Sequence, residues 1–216
     1  MPRYDDVRVL VMQQIAESTR SLKPETARRR DSFSTRFIIA VDRGIYRFSR
    51  RWLVGFNAVL WLWAGMIVAA PILVALGHTG IAQPIYGFFG LFCHQDDERS
   101  FHLSSEKFAC CERCTAIHLS IAMSGLLFAT ARAWLRRPRY HELVLLITPV
   151  ILDGMAVGAG IYDGDLAMRV LTGSLFGIAV VWALYPRFET GFAAIRLRLE
   201  TLFDKLVAQG RALPLG

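Results

Sequence analysis

The chain has 216 residues, of which 54% are hydrophobic, and a formal net charge of +7 at pH 7. A soluble domain of this size spreads its apolar residues periodically, whereas this sequence concentrates them in long blocks. The arginines lie between the blocks and at both ends, as they do in membrane proteins, so we exclude nucleic acid as a partner. The composition predicts an integral membrane protein whose main partner is the lipid bilayer.

The first 52 residues form a basic arm. Residues 1–35 are of mixed charge and rich in arginine. From Arg36 to Trp52 apolar residues recur at spacings of three and four, with arginines between them. This pattern predicts an amphipathic helix that lies in the headgroup layer of the membrane. The alternative is a solvated basic linker.

Four later blocks are apolar enough to cross a membrane. A bilayer core of roughly 30 Å needs about 20 helical residues, and the sequence predicts spans over residues 53–76, 114–134, 143–161 and 166–185. A shorter apolar run, residues 81–92, is typical of a re-entrant or interfacial segment. Beyond Pro186 a second amphipathic helix is predicted over residues 187–216. The predicted fold is all-α and polytopic, with four transmembrane helices in residues 53–186 and amphipathic interfacial helices at both ends.

The charge distribution predicts which side of the membrane each loop faces. Basic residues crowd the arm, the turn at residues 136–139 and the C-terminal helix, whereas the turn at residues 162–165 carries only acidic charge. The positive-inside rule then places both termini in the cytoplasm and the cysteine-rich loop, residues 77–114, on the outside. We expect the protein in the inner membrane of a bacterial cell.

Pairs of small residues four positions apart occur in three of the predicted spans. They are Ser120 and Ser124, Gly154 and Gly158, and Gly173 and Gly177. Lipid gives no hydrophobic drive between helices, so close backbone approach at such pairs favours association. We expect these pairs to mark helix contacts in the bundle.

The cysteines gather in one short stretch, at Cys93, Cys110, Cys111 and Cys114. On a helix, Cys111, Cys114 and His118 would face the same way, and Cys93 with His94 could close over them from the preceding loop. Thiolates and imidazoles that converge in this way suit zinc or iron. The sequence predicts a metal site made by Cys93, His94, Cys111 and Cys114, with His118 as an additional candidate ligand.

Two other interpretations of the cysteines stay open. Cys111 and Cys114 form a C-x-x-C pair at a predicted helix N-terminus, where the helix dipole and Arg113 would activate a thiolate for redox chemistry. Alternatively, two disulfides staple the loop, because an outside location normally favours disulfides over free thiols. Adjacent Cys110 and Cys111 cannot easily point at one centre, so we expect Cys110 to be spare or a disulfide partner of Cys93.

Charged residues also fall inside the predicted spans. Asp153 lies near the middle of the third span, where an ionised carboxylate is costly unless it faces the bundle interior and has a partner. Arg169, in the first turn of the fourth span, is the nearest candidate partner. Together with Arg99 of the loop, these residues form the predicted polar core.

The motifs Cys93-His94-Gln95, Arg99-Ser100-Phe101 and Cys111-x-Arg113-Cys114 resemble a family of predicted bacterial membrane proteins (domain of unknown function 2085). The resemblance continues at Asp153-Gly154 and at Thr172-Gly173, and it covers about Phe89 to Gly177. It implies a multi-span protein whose shared polar residues gather at one membrane face, and it implies no activity. The family-like cysteines are three, which favours a metal over paired disulfides.

Three hypotheses of function follow. The first is a membrane protein with an outward-facing Cys/His metal site. The second is a membrane thiol–disulfide oxidoreductase that uses the C-x-x-C pair and passes electrons to a quinone. The third is an accessory subunit of a larger complex, whose amphipathic ends dock on other membrane subunits. The sequence contains no nucleotide-binding loop, no Ser-His-Asp arrangement and no HExxH helix, so it assigns no reaction and no catalytic residue.

Overall fold

The computed structural model describes residues 33–210, 212–213 and 215. Its helices are α1 (Phe33–Ala75), α2 (Thr79–Gly90), α3 (Glu112–Ala131), α4 (Tyr140–Gly158) and α5 (Leu166–Ala208). A short 3₁₀ turn (Asp97–Arg99) and two strands, β1 (Ser100–Leu103) and β2 (Glu106–Cys111), lie between α2 and α3. The start of the predicted basic arm, residues 1–32, lies outside the described residues.

Within the described residues, four helices are long and apolar enough to cross a membrane: α1, α3, α4 and α5. Their apolar side chains are largely exposed, as Leu127 at 61%, Leu145 at 73% and Met155 at 66% illustrate. A surface of this kind is stable in lipid and would be costly in water. The prediction of an all-α polytopic membrane protein is therefore confirmed.

The two segments that were predicted as amphipathic helices are helical and belong to longer elements. Residues 36–52 lie in α1, and residues 187–208 lie in α5. Pro186 is inside α5 and does not end it, although a proline removes one backbone hydrogen bond. The shorter apolar run forms α2, a helix of 12 residues that is too short to span.

One compact unit contains, among its described residues, 33–53 and 187–210. Trp52 is buried and packs against the rings of Phe188 and Phe192, with centroids 6.1 and 5.3 Å away. The first segment also carries exposed apolar side chains, namely Phe37, Ile38, Val41 and Ile45. The contact of this segment with lipid headgroups stays a prediction.

The second compact unit is Val54–Pro186. Helices α3 and α5 approach closely in it because glycine leaves room for the neighbouring backbone. A Cβ on Gly173 would lie 2.8 Å from the Arg113 carbonyl oxygen, and a Cβ on Gly177 would overlap the Ser120 hydroxyl. Gly158, by contrast, has open space where its Cβ would be. Small residues therefore mark the contact between α3 and α5, as predicted, but Gly158 marks no contact.

A β-hairpin, which the sequence analysis missed, leads into α3. Its strands pair antiparallel with Leu103 opposite Glu106, so the connection is the two residues Ser104 and Ser105. Both have positive φ, 51° and 68°, as a type I′ turn requires. The usual Asn-Gly signal of such a turn is absent, which explains why the sequence pattern did not reveal the hairpin.

Candidate metal centre

Three of the four cysteines form one compact cluster. Cys93 follows α2, Cys111 ends β2 and Cys114 lies in the first turn of α3. Their Sγ atoms all lie within 4.8 Å of one another. Cys111 is the N-cap of α3 and Cys114 lies three residues later, in the first turn, where the side chain of an N-cap residue can reach. The hairpin returns the chain so that these two cysteines meet Cys93. The structure thus brings together three of the predicted ligands.

Hydrogen bonds fix the position of the Cys93 segment. The Cys111 backbone N–H donates to Cys93 Sγ at 3.2 Å. The Gln95 side-chain amide donates to the Tyr86 and Ala109 carbonyl oxygens, at 2.7 and 2.8 Å, and so joins α2 to β2. The position of Cys93 is therefore fixed both by its own sulfur and by the hydrogen bonds of Gln95, two residues later.

Gln95 itself adopts a backbone conformation that is unusual for a residue with a side chain. Its φ is +52°, in the left-handed region, which costs a non-glycine residue roughly 1 kcal/mol or more. The Lys107 ammonium donates to the Gln95 carbonyl oxygen at 2.9 Å and helps to hold this conformation. Gln95 is a positioning residue that the sequence analysis did not identify, although it forms part of the Cys93-His94-Gln95 motif.

The cysteines influence one another electrostatically. Hydrogen bonds from the thiols of Cys110, Cys111 and Cys114 hold the pKa of the Cys93 thiol well below its usual range. The Cys110 thiol shows the opposite effect, because its hydrogen bond to Cys93 and its burial raise its pKa. Cys93 is therefore the thiol whose ionised form these contacts favour.

The cluster opens into a cavity of about 430 Å³. The cavity is lined by the three clustered cysteines and by Phe92, His94, Asp96, Arg99, Arg113, Val157 and Arg169. Its wall thus combines three cysteines and three arginines with a mainly apolar surface. A cavity of this size falls in the range of small-molecule sites.

Two buried ion pairs lie behind the cavity, and they correct the predicted polar core. Asp153 is buried, but the arginine that donates to its Oδ2 is Arg113, whereas the sequence analysis suggested Arg169. Arg169 Nη1 pairs instead with Glu112 Oε2, at 3.0 Å. Asp153 lies beside Thr172, about one turn farther along α5 than Arg169, which explains why Arg169 is not its partner. Thr172 Oγ1 is also 3.3 Å from Asp153 Oδ2.

Arg169 also joins two loops at one end of the unit. Its Nη2 donates to the carbonyl oxygens of Asp163 and Gly164, at 2.7 and 3.1 Å, while Nη1 reaches Glu112 at the start of α3. The acidic turn and the cysteine-rich loop therefore lie at the same end, as the predicted topology requires.

The other predicted site residues lie farther from the sulfurs. His94 lines the cavity and is exposed, but it does not belong to the compact ligand group, so its role as a fourth ligand stays a prediction. His118 Nδ1 donates to the Cys114 carbonyl oxygen at 2.6 Å, and its ring stacks on Trp63. Arg99 pairs with Asp96 at 3.5 Å near the surface and does not join the buried pairs.

The geometry fits a thiolate-bound metal. Zinc binds thiolate sulfur at about 2.3 Å, so tetrahedral ligands lie about 3.8 Å apart, which is compatible with the observed cluster. A disulfide would require two of the sulfurs to approach to about 2.05 Å. All four cysteines are free thiols in the structure. The arrangement supplies three soft ligands on one side of a centre and leaves the cavity on the other.

Comparison with known proteins extends these observations. The model of a family described as "Predicted membrane protein (DUF2085)" matches residues 93–183, which confirms the resemblance seen in the motifs. An uncharacterized protein of Methanocaldococcus jannaschii is 27% identical over 129 residues, which cover 56% of this chain and 83% of that protein. That organism is an archaeon, so the similarity is not restricted to bacteria. No solved structure matches the chain.

Proposed function

We propose that this membrane protein binds a zinc or iron ion through Cys93, Cys111 and Cys114 at the outer face of the cell membrane. The observation that carries the proposal is the compact cluster of three Sγ atoms within 4.8 Å of one another. Several thiolates in a poorly hydrated place repel one another unless a cation neutralises them. A divalent ion would do so and would fasten the loop to the first turn of α3.

Ligand chemistry supports zinc or iron over harder ions. Thiolate is a soft ligand that selects zinc, copper(I) and iron, whereas magnesium and calcium prefer oxygen. With three protein ligands and a cavity at the fourth position, the site has the composition of an open centre and not of a closed structural one.

The proposed location rests on charge. The turn at residues 136–139 is basic and the turn at residues 162–165 is acidic. Contacts of Arg169 join the acidic turn to the cysteine-rich end of the unit. The positive-inside rule then puts both termini in the cytoplasm and the metal centre outside, in the inner membrane if the cell is bacterial.

Metal analysis of the purified full-length protein tests the proposal. We expect about one zinc or iron ion per chain, with separate Cys→Ser changes at Cys93, Cys111 and Cys114 each abolishing its retention. Cys110→Ser is the matched control and should keep the ion, because Cys110 is a buried neighbour outside the ligand group. Protein that carries no metal and whose thiol titration reveals two disulfides would overturn the proposal.

A second function is favoured by one further contact. Cys93 and Cys110 are both buried in one packed cluster, which places a second pair of cysteines beside Cys111 and Cys114, as a thiol–disulfide oxidoreductase needs. In such an enzyme two thiols would lose two electrons and two protons to a quinone as the disulfide forms. Reversible formation of a Cys93–Cys110 disulfide with added quinone, detected by peptide mapping, would support this alternative. The accessory-subunit hypothesis stays a prediction.

A further inference from the structure

We infer that the fourth position of the metal takes an oxyanion, a phosphate or carboxylate group on a small ligand, which arginines of the cavity wall hold from the other side. This inference rests on the proposed metal site. It assigns a ligand chemistry to the cavity, which the metal proposal alone does not.

The open position faces the cavity because the ligands themselves line it. Cys93, Cys111 and Cys114 all contribute to the wall of the space of about 430 Å³. A water molecule occupies about 30 Å³ in the liquid, so the space exceeds the need of one metal-bound water several times over. A ligand with more than a few atoms therefore fits beside the metal.

The cavity wall also carries arginines whose carboxylate partners do not line it. Arg113 and Arg169 both line the cavity, whereas Asp153 and Glu112, to which they are paired, do not. Arg169 is held further by the carbonyl oxygens of Asp163 and Gly164, which occupy its second terminal nitrogen. Arg113 is therefore the buried-pair arginine that keeps donors for a ligand. Planar guanidinium groups bind phosphate and carboxylate through two parallel hydrogen bonds.

One donor on this wall is also unused within the described part of the chain. Arg113 Nε is buried and has no hydrogen-bond partner there. A buried donor without a partner is costly, so such a group usually indicates a ligand or water that completes it. A rotation of the guanidinium that turns Nε toward the cavity would let an oxyanion there accept this hydrogen bond.

The charge of the centre explains why arginines are needed. Three thiolates and a divalent cation together carry a charge of −1, which by itself would repel an anion. Arg99, Arg113 and Arg169 lie on the cavity wall, but each is paired with a carboxylate, so together they add no net positive charge. They would bind an anion through directed hydrogen bonds from their guanidinium groups. Phe92 and Val157 give the same cavity an apolar part that suits the remainder of an organic ligand.

The test uses full-length protein loaded with cobalt(II), whose absorption reports both thiolate ligation and changes in the fourth ligand. The probe is inorganic phosphate, titrated into protein in detergent. A second arm uses nanodiscs of phosphatidylcholine with or without phosphatidate and no added phosphate, which distinguishes a lipid headgroup from a soluble anion. We expect phosphate, or phosphatidate in the second arm, to change the cobalt ligand-field bands.

Variants then locate the anion. Arg113→Lys keeps a cation beside Asp153 but loses the forked donor, and it should weaken phosphate binding roughly tenfold or more. Arg99→Gln, at the exposed rim, should weaken it less. Arg137→Ala is the control, because Arg137 is exposed on the turn between α3 and α4 and does not line the cavity.

Each outcome decides between the two proposals. If cobalt shows no thiolate charge-transfer band, the metal proposal fails and this inference fails with it. If the thiolate band is normal but neither anion changes the ligand-field bands, only the oxyanion inference is overturned. If His94→Ala alone changes those bands and phosphate does not, His94 closes the site and the fourth position is not open to a ligand.

Discussion

Replacing Asp153 by asparagine should destabilise the protein by about 3 kcal/mol. The Asp153 side chain is 1% exposed and accepts a hydrogen bond from Arg113, whose own side chain is 23% exposed. Removing one member of a buried ion pair typically costs about 3–5 kcal/mol, because the remaining charge stays uncompensated. Arg113 keeps some contact with the cavity and can be partly solvated there, so the lower end of that range is expected.

The free energy of unfolding can be measured by raising the mole fraction of dodecyl sulfate in mixed micelles and following helix content. Ile151→Leu is the matched control on the same helix, since Ile151 is 51% exposed, and it should change stability by no more than about 0.5 kcal/mol. The double variant Asp153→Leu with Arg113→Met replaces the whole pair by apolar groups. It should recover most of the loss, because a buried pair often contributes little beyond its apolar replacement.

Two results would refute this reasoning. If Asp153→Asn costs less than about 1 kcal/mol, the pair does not satisfy a buried charge in the way the structure indicates. If the double variant is as unstable as Asp153→Asn, the loss comes from packing around α4 and not from an uncompensated arginine.

Three further predictions follow from the contacts of the second unit. Gly177→Ala should lower the free energy of unfolding by about 1–3 kcal/mol, because a Cβ there overlaps α3, whereas Gly158→Ala, with open space, should be nearly neutral in the same assay. Gln95→Ala should raise the metal dissociation constant roughly tenfold, measured by chelator competition, because two hydrogen bonds that hold the Cys93 segment are lost; unchanged affinity would contradict its positioning role. A reporter fused after Tyr140 should be cytoplasmic and one at Asp163 external, and a cytoplasmic signal at Asp163 would refute the topology.

The membrane spans could be predicted because lipid imposes a simple rule on the sequence. A charged residue in the bilayer core is costly, so long stretches without charge identify the spans by themselves. The ends of the helices were less predictable. Pro186 suggested a helix boundary, but α5 continues through it. A proline removes one backbone hydrogen bond, and the turns after it can still form their own.

The candidate site was predictable in its sulfur atoms and not in its surroundings. The short spacing of Cys111 and Cys114 predicted that they lie together, although Cys111 turned out to be the N-cap of α3 and not a helical residue. The partner of Asp153 depends on the relative rotation of α3 and α4, which a local sequence pattern cannot predict. For this reason Arg113 was missed. The β-hairpin was missed for a different reason, because Ser104 and Ser105 adopt positive φ without the residues that usually signal it.

The first turn of α3 carries two kinds of contact at once. Cys111 and Cys114 face the cavity, while Glu112 and Arg113, between them in sequence, form ion pairs with residues of α5 and α4. Whatever shifts this turn must therefore act on both sets of contacts. By thermodynamic reciprocity, an ion that binds the thiolates more tightly when the helices are assembled must stabilise the assembled helices by the same free energy. Binding of the proposed metal at one end of the helices would then be measurable as a change in the stability of their packing.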